Sequence, residues 1–166
     1  MTAAIAFLAF LTAQRAAELA IATRNTRALV ARGAYEVGAD HYPVMVALHA
    51  TWLATLWWYG HARPPVAAFV VGFVALQVGR AWVLATLGSR WTTRIIIVPN
   101  TRPVTEGPFR FVRHPNYLVV ALELPCASLA LGLAWHALVF AVLNGAMLAW
   151  RIRVEDRAFA RVAQAS

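Results

Sequence analysis

Five apolar stretches divide the chain. They run from Ala3 to about Ala22, Pro43 to Tyr59, Pro64 to Leu87, Tyr117 to Leu133 and Trp135 to Trp150. A membrane-crossing helix needs roughly 20 residues at about 1.5 Å of rise each. The first and third stretches meet that length comfortably. The fourth and fifth are short and predict a helical hairpin that turns at Gly132–Trp135. The polar faces that soluble amphipathic helices require are missing. The pattern therefore predicts a single all-α integral membrane domain over residues 1–166, with about five transmembrane helices.

Two connectors interrupt the pattern. Residues 23–42 have moderate helical character, predicting a surface-lying segment or a short helix broken at Gly33 and Gly38. Residues 88–116 differ. A β-branched run, Thr92–Val98, ends at Pro99–Asn100, and further turns follow at Arg102–Pro103 and Gly107–Pro108. This predicts an extended excursion folded onto the cytoplasmic mouth of the bundle, a candidate functional element.

Composition agrees with a membrane protein. Hydrophobic residues make up 61% of the 166 and charged residues only 13%, against about 25% charged in an ordinary soluble domain. The net charge is +8, and all fifteen basic residues are arginines. With the N-terminus outside, Arg24, Arg27 and Arg32, then Arg90, Arg94, Arg102, Arg110 and Arg113, then Arg151, Arg153, Arg157 and Arg161 all face the cytoplasm. That distribution fits five spans with the C-terminus inside. It assigns the positive charge to a membrane face rather than to nucleic acid. Most of the seven tryptophans fall near predicted helix ends, where interfaces favour them. The N-terminus has no basic region before its apolar stretch, so no cleavable signal is expected. The lone Cys126 cannot build a metal site by itself. His41, His49, His61 and His136 have no metal-ligand spacing and read as interfacial or packing residues, so no metal is expected.

Ionisable residues inside spans cost about 2.5–3.5 kcal/mol each and are functional candidates. Arg15 and Glu18, three apart, can form a structural ion pair. Gln77 and Arg80 also share a face, and Arg80 needs an acidic partner, a hydrated cavity or a path to the interface. Glu123 has no basic neighbour in its own helix. It either pairs with another helix, Arg80 being one choice, or faces a substrate. Asn116 lies on its face two turns earlier. Asn144, Arg151 and Glu155 share a face running from membrane depth to the cytoplasmic surface. The alternative for the last two is a simple i, i+4 surface pair. His114 precedes Pro115 at a helix start, among Arg113, Asn116 and Tyr117, where helix N–H groups and an arginine attract anions. No dinucleotide fingerprint, Walker loop or nucleophile elbow occurs.

Gly107-Pro-Phe-Arg-Phe-Val-Arg-His-Pro-Asn-Tyr117, followed by an apolar hairpin and Arg151-Ile-Arg-Val-Glu-Asp-Arg157, resembles the isoprenylcysteine carboxyl methyltransferase family. The front half, with Arg15-x-x-Glu18-Leu, Arg24-Asn25, Gly33-Ala-x-Glu36 and His41-Tyr-Pro43, resembles a bacterial branch linked to O-methylation of alkylpyrone and alkylresorcinol lipids. The resemblance implies an inner-membrane enzyme using S-adenosylmethionine, with its active site on the cytoplasmic side and its cofactor half at about 88–160. It implies cofactor contacts from Arg113, His114, Asn116, Tyr117 and Glu155. Arg151 would lie where cofactor and acceptor meet. The chain departs from many members at Asp156, where a second Glu is usual, and in stopping at Ser166 without a Tyr-containing tail.

Methyl transfer to oxygen needs proximity and a dry site. A carboxylate acceptor is already ionised, whereas a phenol near pKa 10 gains from a base. Glu123 is the expected base or hydroxyl-orienting group, with Arg80 and Asn144 as further acceptor contacts. These residues favour a lipophilic hydroxyl acceptor drawn from the membrane. Prenylcysteine carboxyl methylation, phospholipid N-methylation, a small transporter and a non-catalytic scaffold are the competing readings.

Overall fold

The computed structural model describes residues 1–99, 101 and 103–165, with side chains up to Arg161. The expected turn residues Asn100 and Arg102 lie outside it, as does Ser166. Five helices dominate: α1 (Thr2–Val30), α2 (Tyr42–Gly60), α3 (Ala67–Leu87), α4 (Pro115–Ala130) and α5 (Ala134–Ala165). α1, α5 and the stretch Ala67–Arg90 that contains α3 are long and apolar enough to cross a membrane. α2 and α4, at 19 and 16 residues, are shorter.

Two helices outrun their apolar stretches. α1 continues to Val30, through what the pattern assigned to a connector. Nothing in Thr23–Val30 breaks a helix, and the first glycine is Gly33, at φ 89°. α5 continues without interruption past Arg151 into the basic tail. Its 32 residues span about 48 Å, well beyond a bilayer core of about 30 Å, so its second half projects from the membrane. The α4–α5 turn falls where expected, around Gly132 at φ 67°.

The excursion is more ordered than its sequence suggested. Ile95–Ile97 (β2) pairs antiparallel with Tyr35–Val37 (β1), joining the two connectors in a ribbon with Glu36 opposite Ile96. Arg94 binds both oxygens of Glu36 at 2.8 Å and lies 3.9 Å over the Tyr42 ring. Asn25 reaches from α1 to the carbonyls of Trp91 and Gly88 at 2.8 and 3.3 Å. These bonds gather the C-terminal ends of α1 and α3 and the N-terminal end of α2 around one mouth.

At the opposite end a core forms from Leu8, Leu11, Trp52, Leu56, Phe73, Leu124 and Leu131. Trp52 departs from the interfacial expectation. It is fully buried, and its indole donates to Ser128 at 3.2 Å. Outward faces expose Phe10, Val71, Val74, Val78, Leu122 and Val142. So much exposed apolar surface on every side is what a bilayer would cover.

Candidate functional site

The mouth is built at the start of α4. Pro115 suits the first helical turn, where its missing N–H costs nothing. This sets His114 and Tyr117 on one side, with their rings stacked 5.4 Å apart at 23°. The Tyr117 hydroxyl donates to Glu155 at 2.5 Å. His114 lies 3.9 Å from Glu155 and 3.5 Å from Asp156. Arg113 is largely exposed and reaches Asp156 at 3.3 Å. The alternative of an Arg151–Glu155 surface pair is not formed. Glu155 turns to Tyr117, while Arg151 is buried and donates to the Thr93 carbonyl at 2.9 Å.

His41 was not among the expected site residues. It is buried, with its Nε2 at 3.3 Å from Arg151 Nη1. Burial, then the Arg151 guanidinium, hold this imidazole below its ordinary pKa, with Asp40 and Glu36 opposing. Its only sequence signal was the His41-Tyr-Pro43 string at a helix start.

At membrane depth the ionisable residues collect. Glu123 is fully buried and bonded to Arg80 by a short contact, to Arg15 at 2.8 Å and to Gln77 at 2.9 Å. Glu18 joins Arg80 at 3.0 Å, Arg15 at 3.3 Å and Gln14 at 2.9 Å. Two arginines and two glutamates thus neutralise one another across α1, α3 and α4. Arg80 finds its acidic partners, and Arg15 and Glu18 pair as expected while joining a larger network.

One cavity of about 1100 Å³ connects both regions. Its walls include Arg113, His114, Asn116, Tyr117, Arg151 and Glu155 at the mouth, with Asn144 on the α5 face. Arg15, Glu18 and Arg80 line its deeper part. Asn144, Arg151 and Glu155 do share one face, which lines the cavity, as their spacing predicted. Glu123 takes the cross-helix alternative, pairing with Arg80 and Arg15 rather than facing the cavity. It lies behind Arg15 and Arg80, is not part of the cavity wall, and cannot touch an acceptor held there. Periodicity placed it on the correct helix face but could not show that two guanidinium groups cover it.

The family model for "Isoprenylcysteine carboxyl methyltransferase (ICMT) family" matches residues 67–161. The chain belongs to this family. The matched region holds α3, α4, most of α5 and the connector between α3 and α4. A Bacillus subtilis relative, "Uncharacterized protein YpbQ", is 35% identical over 164 residues, covering 91% of this chain and 93% of the relative. An uncharacterized Haemophilus influenzae protein is 26% identical over 154 residues, covering 87% of each. No solved structure matches.

Isoprenylcysteine carboxyl methyltransferases are methyltransferases that use S-adenosylmethionine and act on lipophilic substrates. The cavity residues fit such a cofactor. Asn116 Oδ1, Asn144 Oδ1 and Trp91 Nε1 are buried without a hydrogen-bond partner among the described residues, and all three residues line the cavity. Buried polar atoms are rarely left unpaired, so these two acceptors and one donor suit a polar ligand. Glu155 and Arg151 add one charge of each sign for a zwitterionic amino-acid group. The family match leaves out α1, β1 and α2, and with them Arg15, Glu18, His41 and His49.

Proposed function

We propose that this protein is a membrane methyltransferase that uses S-adenosylmethionine to methylate an oxygen of a lipophilic acceptor of the alkylpyrone or phenolic-lipid type. The observation that carries this reading is the continuous cavity. It joins the polar mouth around Tyr117 and Glu155 to a charged wall at membrane depth. A nucleoside cofactor entering from the cytoplasm and a lipid head group entering from the membrane can meet inside it.

In this reading Arg113, His114, Asn116, Tyr117 and Glu155 hold the cofactor, and the bound cofactor supplies an electrophilic methyl group. Arg151 orients the groups at the junction, because Thr93 and His41 fix its guanidinium. Asn144 and Arg80 line the acceptor arm. Glu123 acts indirectly by holding Arg15 and Arg80. Leu19 and Val46 support lateral entry for an alkyl tail. Both line the cavity and both are nearly half exposed.

Calorimetry with S-adenosylhomocysteine tests the reading. Binding is expected at micromolar affinity, about −8 kcal/mol. His114→Ala and Glu155→Ala should each weaken it at least several-fold. No binding by the wild type, or unchanged affinity in both variants, overturns the assignment.

A further inference from the structure

We propose that His49 receives the proton of a phenolic hydroxyl on the lipid acceptor, making this site selective for un-ionised hydroxyls over carboxylates. The inference rests on the methyltransferase reading above and names the proton acceptor at that site. His49 lies on α2 and forms part of the cavity wall. Its Nδ1 is 2.9 Å from the Met45 carbonyl. A carbonyl oxygen only accepts, so Nδ1 carries the ring proton and Nε2 carries the lone pair. No described residue bonds to Nε2.

The other bases around the cavity are engaged or removed from it. Glu18 accepts bonds from Gln14, Arg15 and Arg80. Glu155 accepts from Tyr117. His114 sits at the mouth, 3.5 Å from Asp156 and 3.9 Å from Glu155, far from the deep wall where His49 lies, and Asp156 pairs with Arg113. His41 lies behind Arg151, outside the cavity wall. Glu123, the base expected from the sequence, is covered. His49 therefore offers the cavity a ring nitrogen with no protein partner.

The charged groups around this part of the cavity are Arg15 and Glu18 of α1, Arg80 of α3 and Glu123 of α4. Their formal charges sum to zero, and the sulfonium loses its charge in the same step in which His49 gains one. In the reaction the acceptor O–H bond breaks and its proton passes to Nε2. The oxygen electron pair forms the new O–CH₃ bond. The S–CH₃ bond breaks, its electron pair stays on sulfur, and the sulfonium becomes a neutral thioether. The imidazolium then releases its proton to water through the cytoplasmic mouth. A phenol near pKa 10 is only about one part in 10³ ionised at pH 7, so this transfer matters for a phenol and not for a carboxylate.

The test uses the full chain in lipid nanodiscs with S-adenosylmethionine. A 5-alkylresorcinol, a more acidic nitro-substituted alkylphenol and N-acetyl-S-farnesylcysteine serve as acceptors. Wild type is expected to methylate the resorcinol in preference to the farnesylcysteine carboxylate. His49→Gln should lower turnover of the resorcinol by about 10²-fold or more, a typical loss for a proton acceptor. The nitro-substituted phenol, already ionised, should recover most of that loss. The ascending limb of the pH–rate profile should move toward the ionisation of the phenol itself. S-adenosylhomocysteine affinity should stay within two-fold, reporting an intact fold. Resorcinol turnover in His49→Gln within a few-fold of wild type, or wild-type preference for the carboxylate, overturns the proposal. Failure of wild type to bind S-adenosylhomocysteine overturns the methyltransferase reading itself.

Discussion

Arg151 and His41 meet at 3.3 Å in the buried floor of the mouth, 110 positions apart in sequence. The guanidinium gains no carboxylate within ion-pairing distance among the described residues. Its hydrogen bonds go to a histidine ring and the Thr93 carbonyl. The contact requires an unprotonated Nε2, so it is sensitive to acid. The folded state holds His41 below its ordinary value of 6.5. The unfolded chain therefore binds the extra proton more readily, and stability must fall as the pH drops below about 6.5. Thermal melts of detergent-solubilised protein should show a midpoint that falls as the pH drops below about 6.5. His41→Gln, whose amide can accept from Arg151 without titrating, should flatten that slope.

Gly38 holds the same contact from behind. Its φ is 66°, and an added Cβ would lie 2.5 Å from the His41 ring and 2.8 Å from Val154. Gly38→Ala should cost about 1–3 kcal/mol from backbone strain alone. The pressure on His41 should also lower methyl-transfer turnover at least several-fold. Gly33, five residues earlier, has φ 89° but nothing within 4 Å. Gly33→Ala should therefore cost stability alone, read as a lowered melting midpoint with turnover of the folded fraction retained.

Glu123→Gln separates structure from chemistry. Removing this charge leaves Arg15 and Arg80 facing only Glu18. Breaking a buried ion pair by deleting one partner typically costs about 3–5 kcal/mol. The variant should melt well below wild type. Turnover per folded molecule should fall less than ten-fold, because the carboxylate has no access to the cavity. A loss of 10²-fold or more with unchanged melting would restore Glu123 as the base. Arg80→Gln combined with Glu123→Gln should recover part of the stability, since the pair leaves together.

Much of this was legible from local pattern. The five helices, the α4–α5 turn at Gly132 and the Asn144–Arg151–Glu155 face all follow from apolar runs and helical spacing. Pairing across helices did not follow. Glu36 and Arg94 gave no hint that Tyr35–Val37 and Ile95–Ile97 form a ribbon, because strand partners 58 or more residues apart leave no periodic trace. His41 and His49 looked equally anonymous. Their difference is one of packing. The first is sealed against Arg151 and the Gly38 turn, and the second opens onto the cavity. Glu123 failed in the opposite sense, since an isolated carboxylate in its own helix is fully enclosed by residues from two others.

The membrane topology is the remaining prediction. α2 and α4 would measure about 28 and 24 Å along their axes, slightly short of a bilayer core of about 30 Å. Each nonetheless exposes large apolar side chains outward: Val44, Val46 and Trp58 on α2, Leu118 and Leu122 on α4. The Val66 N–H donates to the Ala130 carbonyl at 2.8 Å, and Arg63 reaches the Gly132 carbonyl at 3.4 Å, so the two short loops meet at one end. The ribbon, the excursion and the basic second half of α5 meet at the other. Five crossings, with that second end cytoplasmic, place the arginine-rich segments where the positive-inside bias puts them. Single cysteines at Glu106, Arg153 and Arg63, each in a Cys126→Ser background, test this in intact cells. Glu106→Cys and Arg153→Cys should resist a membrane-impermeant maleimide until the cells are opened. Arg63→Cys should label at once. Labelling of Glu106→Cys from outside would invert the topology, and protection of all three would reduce the number of crossings.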